Sequence, residues 1–365
     1  MSLTAGIVGL PNVGKSTLFN AITKAKVLAA NYPFATIDPN VGVVEVRDER
    51  LDQIAAVVKP RQVIPTTFSF TDIAGLVKGA SHGEGLGNQF LAHIREVDCI
   101  CQVVRCFHDP DIIHVTGKID PESDIETINL ELMLADLEII NKRIPKIEKK
   151  ALLKAEANAE AEYEVLLKIK TALEAGKFAR TIPLSREEIN LVKQYNFLTL
   201  KPMIYVCNVS EDDFLNENPY VDRVKEIAAL EGNRVVVISA KIEAELVALD
   251  SESRSIFLQE LGIKEGGLDK LIKATRDLLG LGTFFTAGEK EARAWTFRKG
   301  MKASECAGLI HTDFERGFIR AEIIAYQDFL KFGNLIKAKE AGRMRSEGRD
   351  YLFQDGDIVL FRFNV

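Results

Sequence analysis

The fold of this chain is decided by a stretch of eight residues, Gly9-Leu10-Pro11-Asn12-Val13-Gly14-Lys15-Ser16. The stretch fits the pattern G-x-x-x-x-G-K-[ST], which binds phosphate groups. Its glycines allow several backbone N–H groups to turn towards one phosphate, because no side chain blocks the approach. Lys15 can place its positive charge on the β- and γ-phosphates of a nucleotide, and Ser16 can offer its hydroxyl to Mg²⁺.

The residues on either side of this loop strengthen the prediction. Ala5-Gly6-Ile7-Val8 is apolar and predicts a short buried strand before the loop. The stretch from Ser16 to Ile22 predicts a helix after it, whose positive dipole end is aimed at the anion. We therefore expect the nucleotide phosphates to contact residues of the loop and of the first helical turn, namely Asn12, Val13, Gly14, Lys15, Ser16 and Thr17.

Length and composition indicate a large globular protein. The chain has 365 residues, 47% of them hydrophobic and 27% charged, which suggests two or three domains. Its formal net charge of −6 gives no general affinity for nucleic acid, and we expect no DNA partner. The five cysteines are odd in number and lack paired C-x₂-C spacing, so we predict reduced packing residues. Without a leader-like segment or a long apolar run, the sequence predicts a cytoplasmic protein with no membrane partner.

Further apolar stretches predict the remaining strands of a parallel α/β sheet at residues 66–71, 100–106, 203–207 and 235–238. Between the second and third of these, residues 124–198 are rich in Glu, Lys, Leu and Ala, which favour helix. Apolar residues recur there at helical spacing, and we expect Pro145 and the region of Gly176 to break the run. The pattern predicts a helical hairpin, resembling a coiled coil, inserted into the α/β domain.

The last part of the chain has a different character. Glycines punctuate short segments after Leu279, and Asp355-Gly356 lies between two apolar runs, which predicts a β-hairpin. We therefore predict three parts: a P-loop nucleotide-binding domain of residues 1–123 and 199–279, a helical insertion of residues 124–198, and a small β-rich domain of residues 280–365.

Four further motifs follow the phosphate-binding loop in the order typical of nucleotide switches. Thr36 can close over Mg²⁺ when a γ-phosphate is present, and Asp72, in D-x-x-G, can hold the metal. Asn208-Val209-Ser210-Glu211 follows a predicted strand where a base-reading loop is expected. Ser239-Ala240-Lys241 follows the last strand, and its backbone can pack against the base. Each motif is short and frequent, so their order carries the argument.

With these motifs, the sequence resembles the Obg-like branch of the translation-factor-related P-loop NTPases, and most closely the YchF-type ATPases. Two stretches carry the resemblance, residues 72–80 and residues 310–320. It extends over essentially the whole chain, and it implies that residues 280–365 form a TGS domain with a ubiquitin-like β-grasp fold. It also implies association with the ribosome and hydrolysis of ATP.

The base-reading loop indicates ATP rather than GTP. Guanine-reading relatives use N-K-x-D, whose Asp accepts two hydrogen bonds from guanine. This chain has Val209 in place of the Lys and Glu211 in place of the Asp. The longer Glu displaces a bidentate pair, and Val209 lacks the Lys stem that covers the base, so guanine loses its preference. The alternative is that another loop reads guanine and the protein is a GTPase.

The residue that positions the attacking water is not given by the usual motif. Many GTPases place a Gln directly after D-x-x-G, but this chain has the apolar Leu76. The candidates are His82, His93, His108 and His114, and the resemblance singles out His114. Asn12 either coordinates a K⁺ ion, as in related loops, or only stabilises the loop.

Two basic stretches stand out in this acidic chain. Residues 141–154 carry six basic residues against one acidic residue, and residues 331–349 carry six against two. They are either solvated helix faces or contacts for RNA phosphates, and the resemblance favours ribosomal RNA. The sequence thus predicts a ribosome-associated, Mg²⁺-dependent ATPase. The alternatives are a GTPase and a nucleotide-gated binding module whose turnover is incidental.

Overall fold

The computed structural model describes residues 3–24, 40–73, 86–110, 118–152 and 158–364, with the side chains of residues 86–89 and 251 left aside. The chain forms two compact units. Met1–Val44 and Ser69–Ala274 make up the first, and Glu45–Phe68 and Thr275–Val365 make up the second. No helix in the described ranges is both long enough and apolar enough to cross a membrane.

The first unit is built on a sheet whose described strand pairs run parallel from β4 through β1, β5 and β6 to β7. The strand order is β2-β4-β1-β5-β6-β7. The predicted strands are confirmed, and each bound lies within one residue of the prediction. Numbered along the whole chain, these strands are β1 (Thr4–Val8), β2 (Val41–Val46), β4 (Thr66–Asp72), β5 (Cys99–Arg105), β6 (Met203–Asn208) and β7 (Arg234–Ile238).

Helices follow β1, β4, β5, β6 and β7 in the chain, as the alternating pattern predicts. The helix predicted after the phosphate-binding loop is confirmed as α1. The others include the predicted pair of long helices between β5 and β6. In chain order they are α1 (Lys15–Lys24), α3 (Leu86–Glu96), α4 (Pro121–Leu152), α5 (Ala159–Glu174), α6 (Arg186–Val192), α7 (Pro219–Glu231), α8 (Ala240–Leu246), α9 (Ser251–Glu260) and α10 (Gly267–Leu278).

Pro145 does not break the helical run, so that part of the prediction is wrong. Helix α4 continues through it to Leu152. A proline inside a helix removes one hydrogen bond and costs about 3 kcal/mol. Packing against α5 offsets this cost, because Ile140 and Ile147, on either side of the proline, are both fully buried in the hairpin core. The predicted break near Gly176 is confirmed, since α5 ends just before it.

The hairpin joins the rest of the unit through the buried carboxylate of Asp136 in α4. Its oxygens accept hydrogen bonds from the backbone N–H of Leu198 at 3.1 Å and from the N–H and hydroxyl of Thr199 at 2.8 and 2.7 Å. The Arg95 guanidinium donates at 3.3 Å from the end of α3. This one side chain therefore fixes α4 to α3 and to the chain that returns from the hairpin.

The second unit contains a mixed sheet in the order β11-β10-β12-β8-β9-β3. The central strands β12 and β8 are parallel, whereas β10 pairs antiparallel with β11 and β12, and β8 pairs antiparallel with β9, as in a β-grasp fold. The strands are β3 (Gln62–Ile64), β8 (Leu281–Ala287), β9 (Glu291–Arg298), β10 (Phe318–Ala325), β11 (Arg345–Glu347) and β12 (Asp357–Phe363). The helices are α2 (Glu49–Val58), α11 (Ala303–Ile310), α12 (Thr312–Arg316), α13 (Tyr326–Phe332) and α14 (Leu335–Glu340).

The β-hairpin predicted at Asp355-Gly356 is wrong. Leu352 forms only an isolated bridge with Lys302, and β12 pairs with β10 and β8 instead. The turn is attached to β8: Asp355 accepts the N–H of Thr283 at 2.7 Å, and Gly356 donates its N–H to the Thr283 carbonyl at 2.8 Å. The Asp-Gly motif predicts a local bend correctly, but it does not specify the pairing of the strand after it. The contacts with Thr283 place β12 beside β8 instead of beside the segment that precedes the turn.

The segment Glu45–Phe68 packs with the C-terminal residues, although the sequence-based boundaries include it in the nucleotide-binding domain. Leu51 and Ile54 of α2 are buried in one apolar cluster with Phe285 and Ile358. Arg50 also donates to Asp355 at 2.9 Å. The second unit is therefore assembled from two separate parts of the chain, and the division into three domains stays a prediction.

We expect Asp136→Ala to destabilise the protein by about 3 kcal/mol, because three buried donor groups and the Arg95 guanidinium lose their acceptor. Chemical denaturation measures the free energy of unfolding. The control is Asp222→Ala, which removes an exposed ion pair with Lys225 and should change stability by no more than about 0.5 kcal/mol. Equal effects of the two substitutions would contradict the anchoring role of Asp136.

Candidate nucleotide-binding site

The predicted phosphate-binding loop lies between β1 and α1, at the carboxyl end of the parallel sheet. In sheets of this kind, ligands bind in the crevice outside the carboxyl ends of the strands. Asp72 ends β4 and Asn208 ends β6, so both reach the same edge. Residues from three separate motifs are therefore gathered around one loop.

Position 14 requires glycine for two reasons, its backbone conformation and the lack of room for a side chain. Its φ of +90° is unfavourable for residues with a side chain, and a Cβ there would stand 2.1 Å from Nδ2 of Asn208. Asn12 also has a positive φ, of 64°, which asparagine tolerates better than most residues. The loop therefore curls as the glycine pattern predicts, with Val13 buried beneath it.

Lys15 and Asp72 form an ion pair at this loop. Lys15 is the first residue of α1 and is only 9% exposed, whereas Ser16 and Thr17 are exposed beside it. The helix N-terminus, the ammonium group and the hydroxyl groups suit a bound phosphate. The hydroxyl of Ser16 and the carboxylate of Asp72 are oxygen donors of the kind that Mg²⁺ prefers, so this part of the site fits the metal.

Asn208 connects the loop to the opposite side of the site. Its buried amide donates from Nδ2 to the Val13 carbonyl at 2.9 Å. Its Oδ1 accepts the N–H of Ala240 at 3.0 Å. The sequence predicted a base-reading residue here but gave no sign of this bridge, because Val13, Asn208 and Ala240 are far apart in the chain.

The other predicted base-side residues lie close to this bridge. Val209 is buried, and its N–H donates to the Ile238 carbonyl at 2.9 Å. Ser239 is fully buried and caps α8, while Glu211 is exposed to solvent. The loops after β6 and β7 are therefore adjacent. Among the residues predicted to contact the base, Glu211 is exposed, whereas Asn208, Val209, Ser239 and Ala240 are buried.

The structure also brings Arg105 and Asn218 to this edge of the sheet, and sequence reasoning missed both. Arg105 ends β5 with 1% exposure, and Asn218 caps α7 while donating to the Cys106 carbonyl at 2.8 Å. For Arg105, the signal available in the sequence was a charged residue at the end of a mainly apolar strand.

Some predicted residues lie outside the described ranges: Thr36, Leu76, His82 and His114. Of the other histidine candidates, His93 lies on α3 and His108 follows β5, and both are exposed. All five cysteines lie in the described ranges, where they are buried and form no disulfide bond, as expected for packing residues.

A parallel sheet with this loop, lysine and carboxylate defines a P-loop NTPase. Comparison with protein families agrees. Residues 4–145 match a family described as a 50S ribosome-binding GTPase. Residues 281–364 match the C-terminal family of YchF GTPases, described as a protein of unknown function (DUF933).

Full-length relatives identify the family. The chain is 60% identical to a protein of Bacillus subtilis named ribosome-binding ATPase YchF, and 55% identical to the Escherichia coli O157:H7 protein of that name, with 100% of both chains covered in each case. A solved structure of the Schizosaccharomyces pombe YchF GTPase superposes with a TM-score of 0.89 at 39% identity, covering 99% of this chain and 98% of that one. The chain belongs to the YchF family.

We expect Gly14→Ala to weaken triphosphate binding by at least about tenfold, because the new methyl group displaces the Asn208 amide and two hydrogen bonds. Equilibrium titration with a fluorescent ATP analogue measures this. The control is Gly176→Ala, where φ is +72° but no atom lies within 4 Å of the added carbon. That variant carries backbone strain alone, and its affinity should match the wild type. An unchanged affinity of Gly14→Ala would contradict the proposed geometry.

Proposed function

We propose that this chain is a Mg²⁺-dependent ATPase that works as a ribosome-associated nucleotide switch in the cytoplasm. The observation that carries the proposal is the phosphate-binding loop, where Lys15 contacts Asp72 and Asn208 connects Val13 to the base-side loop. Relatives that are more than half identical over their whole length are named ribosome-binding ATPases, which supports both parts of the proposal.

Each residue of the site has a specific role in this proposal. Lys15 neutralises charge on the β- and γ-phosphates, and the first N–H groups of α1 bind them. Ser16, Thr36 and Asp72 hold Mg²⁺, which supplies positive charge to the phosphates when bound. Thr17 contributes a backbone N–H at the start of the helix. These contacts favour a triphosphate of any base, so the base must be selected elsewhere.

The base-side loop favours adenine over guanine. Val209 is buried, so it offers no stem to cover a base as lysine does in guanine-reading relatives. Glu211 is exposed and one methylene longer than the aspartate that accepts from guanine. The backbone of Ser239 and Ala240 packs against the base, and Asn208 holds that backbone in position. Without a matched acceptor, guanine gains nothing over adenine.

We expect ATP to bind more tightly than GTP, and the double change Val209→Lys with Glu211→Asp to shift preference towards GTP by about tenfold or more. Titration with fluorescent analogues of both nucleotides measures the two affinities. The matched control is Glu217→Asp, an exposed residue farther along the chain, which should leave the ratio unchanged. A clear GTP preference of the wild type would favour the GTPase alternative.

For the hydrolysis step we propose that His114 positions the attacking water. Leu76 has no polar group with which to orient water, so another residue must do so. His114 follows β5 in the chain, and the neighbouring strands β1 and β6 carry the phosphate-binding loop and Asn208 at their carboxyl ends. Asn12 is exposed in the loop, and we propose that it either coordinates K⁺ or only stabilises the turn.

Ribosome association is attributed to the basic stretches. In α4, Arg143 pairs with Glu162 at 2.9 Å, and Lys142 pairs with Glu138. Lys146 and Lys149 are exposed and, with Lys142, recur at i, i+4 and i+7, so they share one helix face. In the second unit, Lys337, Lys339 and Arg343 are exposed as well. Such lysines bind RNA phosphates with strong salt dependence.

We expect the double change Lys146→Glu with Lys149→Glu to weaken ribosome binding by about tenfold or more. The slope of log affinity against log salt should fall by about 1 for each RNA phosphate that the variant no longer neutralises. Cosedimentation at several salt concentrations measures both quantities. The control reverses the charge of Lys225 and Lys290, two exposed lysines outside the basic stretches. Equal losses in both variants would show only an effect of net charge.

A further inference from the structure

We propose that an open face of the sheet in the second unit binds an acidic, partly apolar segment of a partner protein through the paired guanidinium groups of Arg320 and Arg362. In this proposal a carboxylate of the partner contacts both arginines, and an adjacent apolar side chain covers Leu360. The inference goes beyond nucleotide hydrolysis. It does not involve the basic stretches to which ribosome association is attributed.

The face is formed by the antiparallel strands β10 and β12. Arg320 pairs with Arg362 in the register of these strands, and Glu322 pairs with Leu360. Because side chains alternate along a strand, these four residues lie on the same side of the sheet. Farther along β10, the same side continues at Ile324, which is buried in one apolar cluster with residues of α2 and α13. The face is therefore covered at one end and open at the other, where Arg320, Leu360 and Arg362 are exposed.

Glu322 holds both guanidinium groups at this open end. Its Oε1 accepts hydrogen bonds from Nε and Nη2 of Arg320 at 3.3 and 3.0 Å. Its Oε2 accepts from Nε and Nη2 of Arg362 at 3.1 and 3.0 Å. The side chain of Glu322 is only 9% exposed, whereas both arginine side chains are half-exposed. Hydrogen bonds from Arg362, and then from Arg320, hold the pKa of this carboxyl group below its usual value, so it stays ionised at neutral pH.

Each guanidinium group keeps donors for a ligand. Within the described ranges, Nη1 of Arg320 and Nη1 of Arg362 have no hydrogen-bond partner. Two like charges directly opposite each other on neighbouring strands are unfavourable, and one arginine suffices to pair with Glu322. A planar guanidinium group that is already held in place loses little freedom when it binds a carboxylate. The second arginine is therefore better explained by a ligand than by pairing within the sheet.

The chemistry of this face favours an acidic peptide over RNA. Arg320 and Arg362 with Glu322 carry a single net positive charge, which neutralises few phosphates and gives little affinity for a polyanion. Leu360 is 39% exposed beside the arginines, and Ile319, which the register shift leaves without a partner on β12, is 56% exposed. Arginine beside apolar side chains is typical of protein interfaces. A carboxylate with an apolar neighbour matches both features of the face.

The first test measures binding of a short fluorescent peptide of alternating Glu and Leu residues to the full chain by fluorescence anisotropy. We expect Arg320→Gln with Arg362→Gln to weaken binding by about tenfold or more, because the contacts with the carboxylates are lost. Arg320→Lys with Arg362→Lys keeps both charges without the planar groups and should weaken binding by about threefold or more. The matched control is Lys290→Gln with Lys299→Gln, which removes two exposed charges of the same unit outside β10 and β12 and should leave the affinity unchanged.

The second test examines the apolar contact and the class of partner. Leu360→Asn should weaken binding of the Glu-Leu peptide by about threefold or more, and a peptide with Gln in place of every Glu should bind the wild type at least about tenfold more weakly. Short single-stranded RNA at the same ionic strength should bind the wild type and the arginine-to-glutamine variant equally.

Three results overturn the inference. The first is a wild-type chain that does not bind the Glu-Leu peptide, and the second is equal binding of that peptide by the arginine-to-glutamine variant and the lysine control. The third is a loss of RNA binding in the arginine variant without a loss of peptide binding, which makes RNA the ligand of this face. Thermal denaturation checks that each variant folds. If the arginine-to-glutamine variant does not fold, the arginine-to-lysine variant replaces it in each comparison.

Discussion

The bridge made by the Asn208 side chain is the interaction on which the site depends. A single buried amide joins the phosphate-binding loop at Val13 to the base-side loop at Ala240, and the Asn208 carbonyl holds Cys106. Three loops at the edge of the sheet are thereby placed relative to one another. Because the groups are buried, breaking any of these hydrogen bonds leaves an unsatisfied partner, and the geometry is strongly favoured.

Buried polar side chains have the same function elsewhere in the first unit. Asp136 fixes the helical hairpin to α3 and to the returning chain, and Glu243 accepts the Gly267 N–H at the start of α10 at 2.6 Å. Burial raises the pKa of both carboxyl groups, which shows the cost of these positions. Apolar packing stabilises the sheet and the helices, but it does not specify at which residue each helix or strand ends. Polar contacts of this kind determine where each connecting segment begins.

The second unit shows how connectivity complicates the division into domains. Its core includes α2. In the chain, α2 lies between Thr36 and Asp72, two residues that we propose as ligands of Mg²⁺. A β-grasp sheet can be described from residues 281–363, yet part of its apolar cluster comes from Leu51 and Ile54. The composition of residues 45–68 does not predict this packing, because the apolar face of an amphipathic helix can cover either sheet.

The sequence by itself determined the features that depend on neighbouring residues. The phosphate-binding loop and its strand and helix were predictable because glycines, lysine and apolar runs act over a few residues. Only the tertiary structure decided that α4 passes through Pro145, because the compensating contacts come from α5. It also decided which strand follows Asp355-Gly356, and it revealed the bridges of Asn208 and Glu322. These depend on burial and on partners distant in the chain, which no local pattern records.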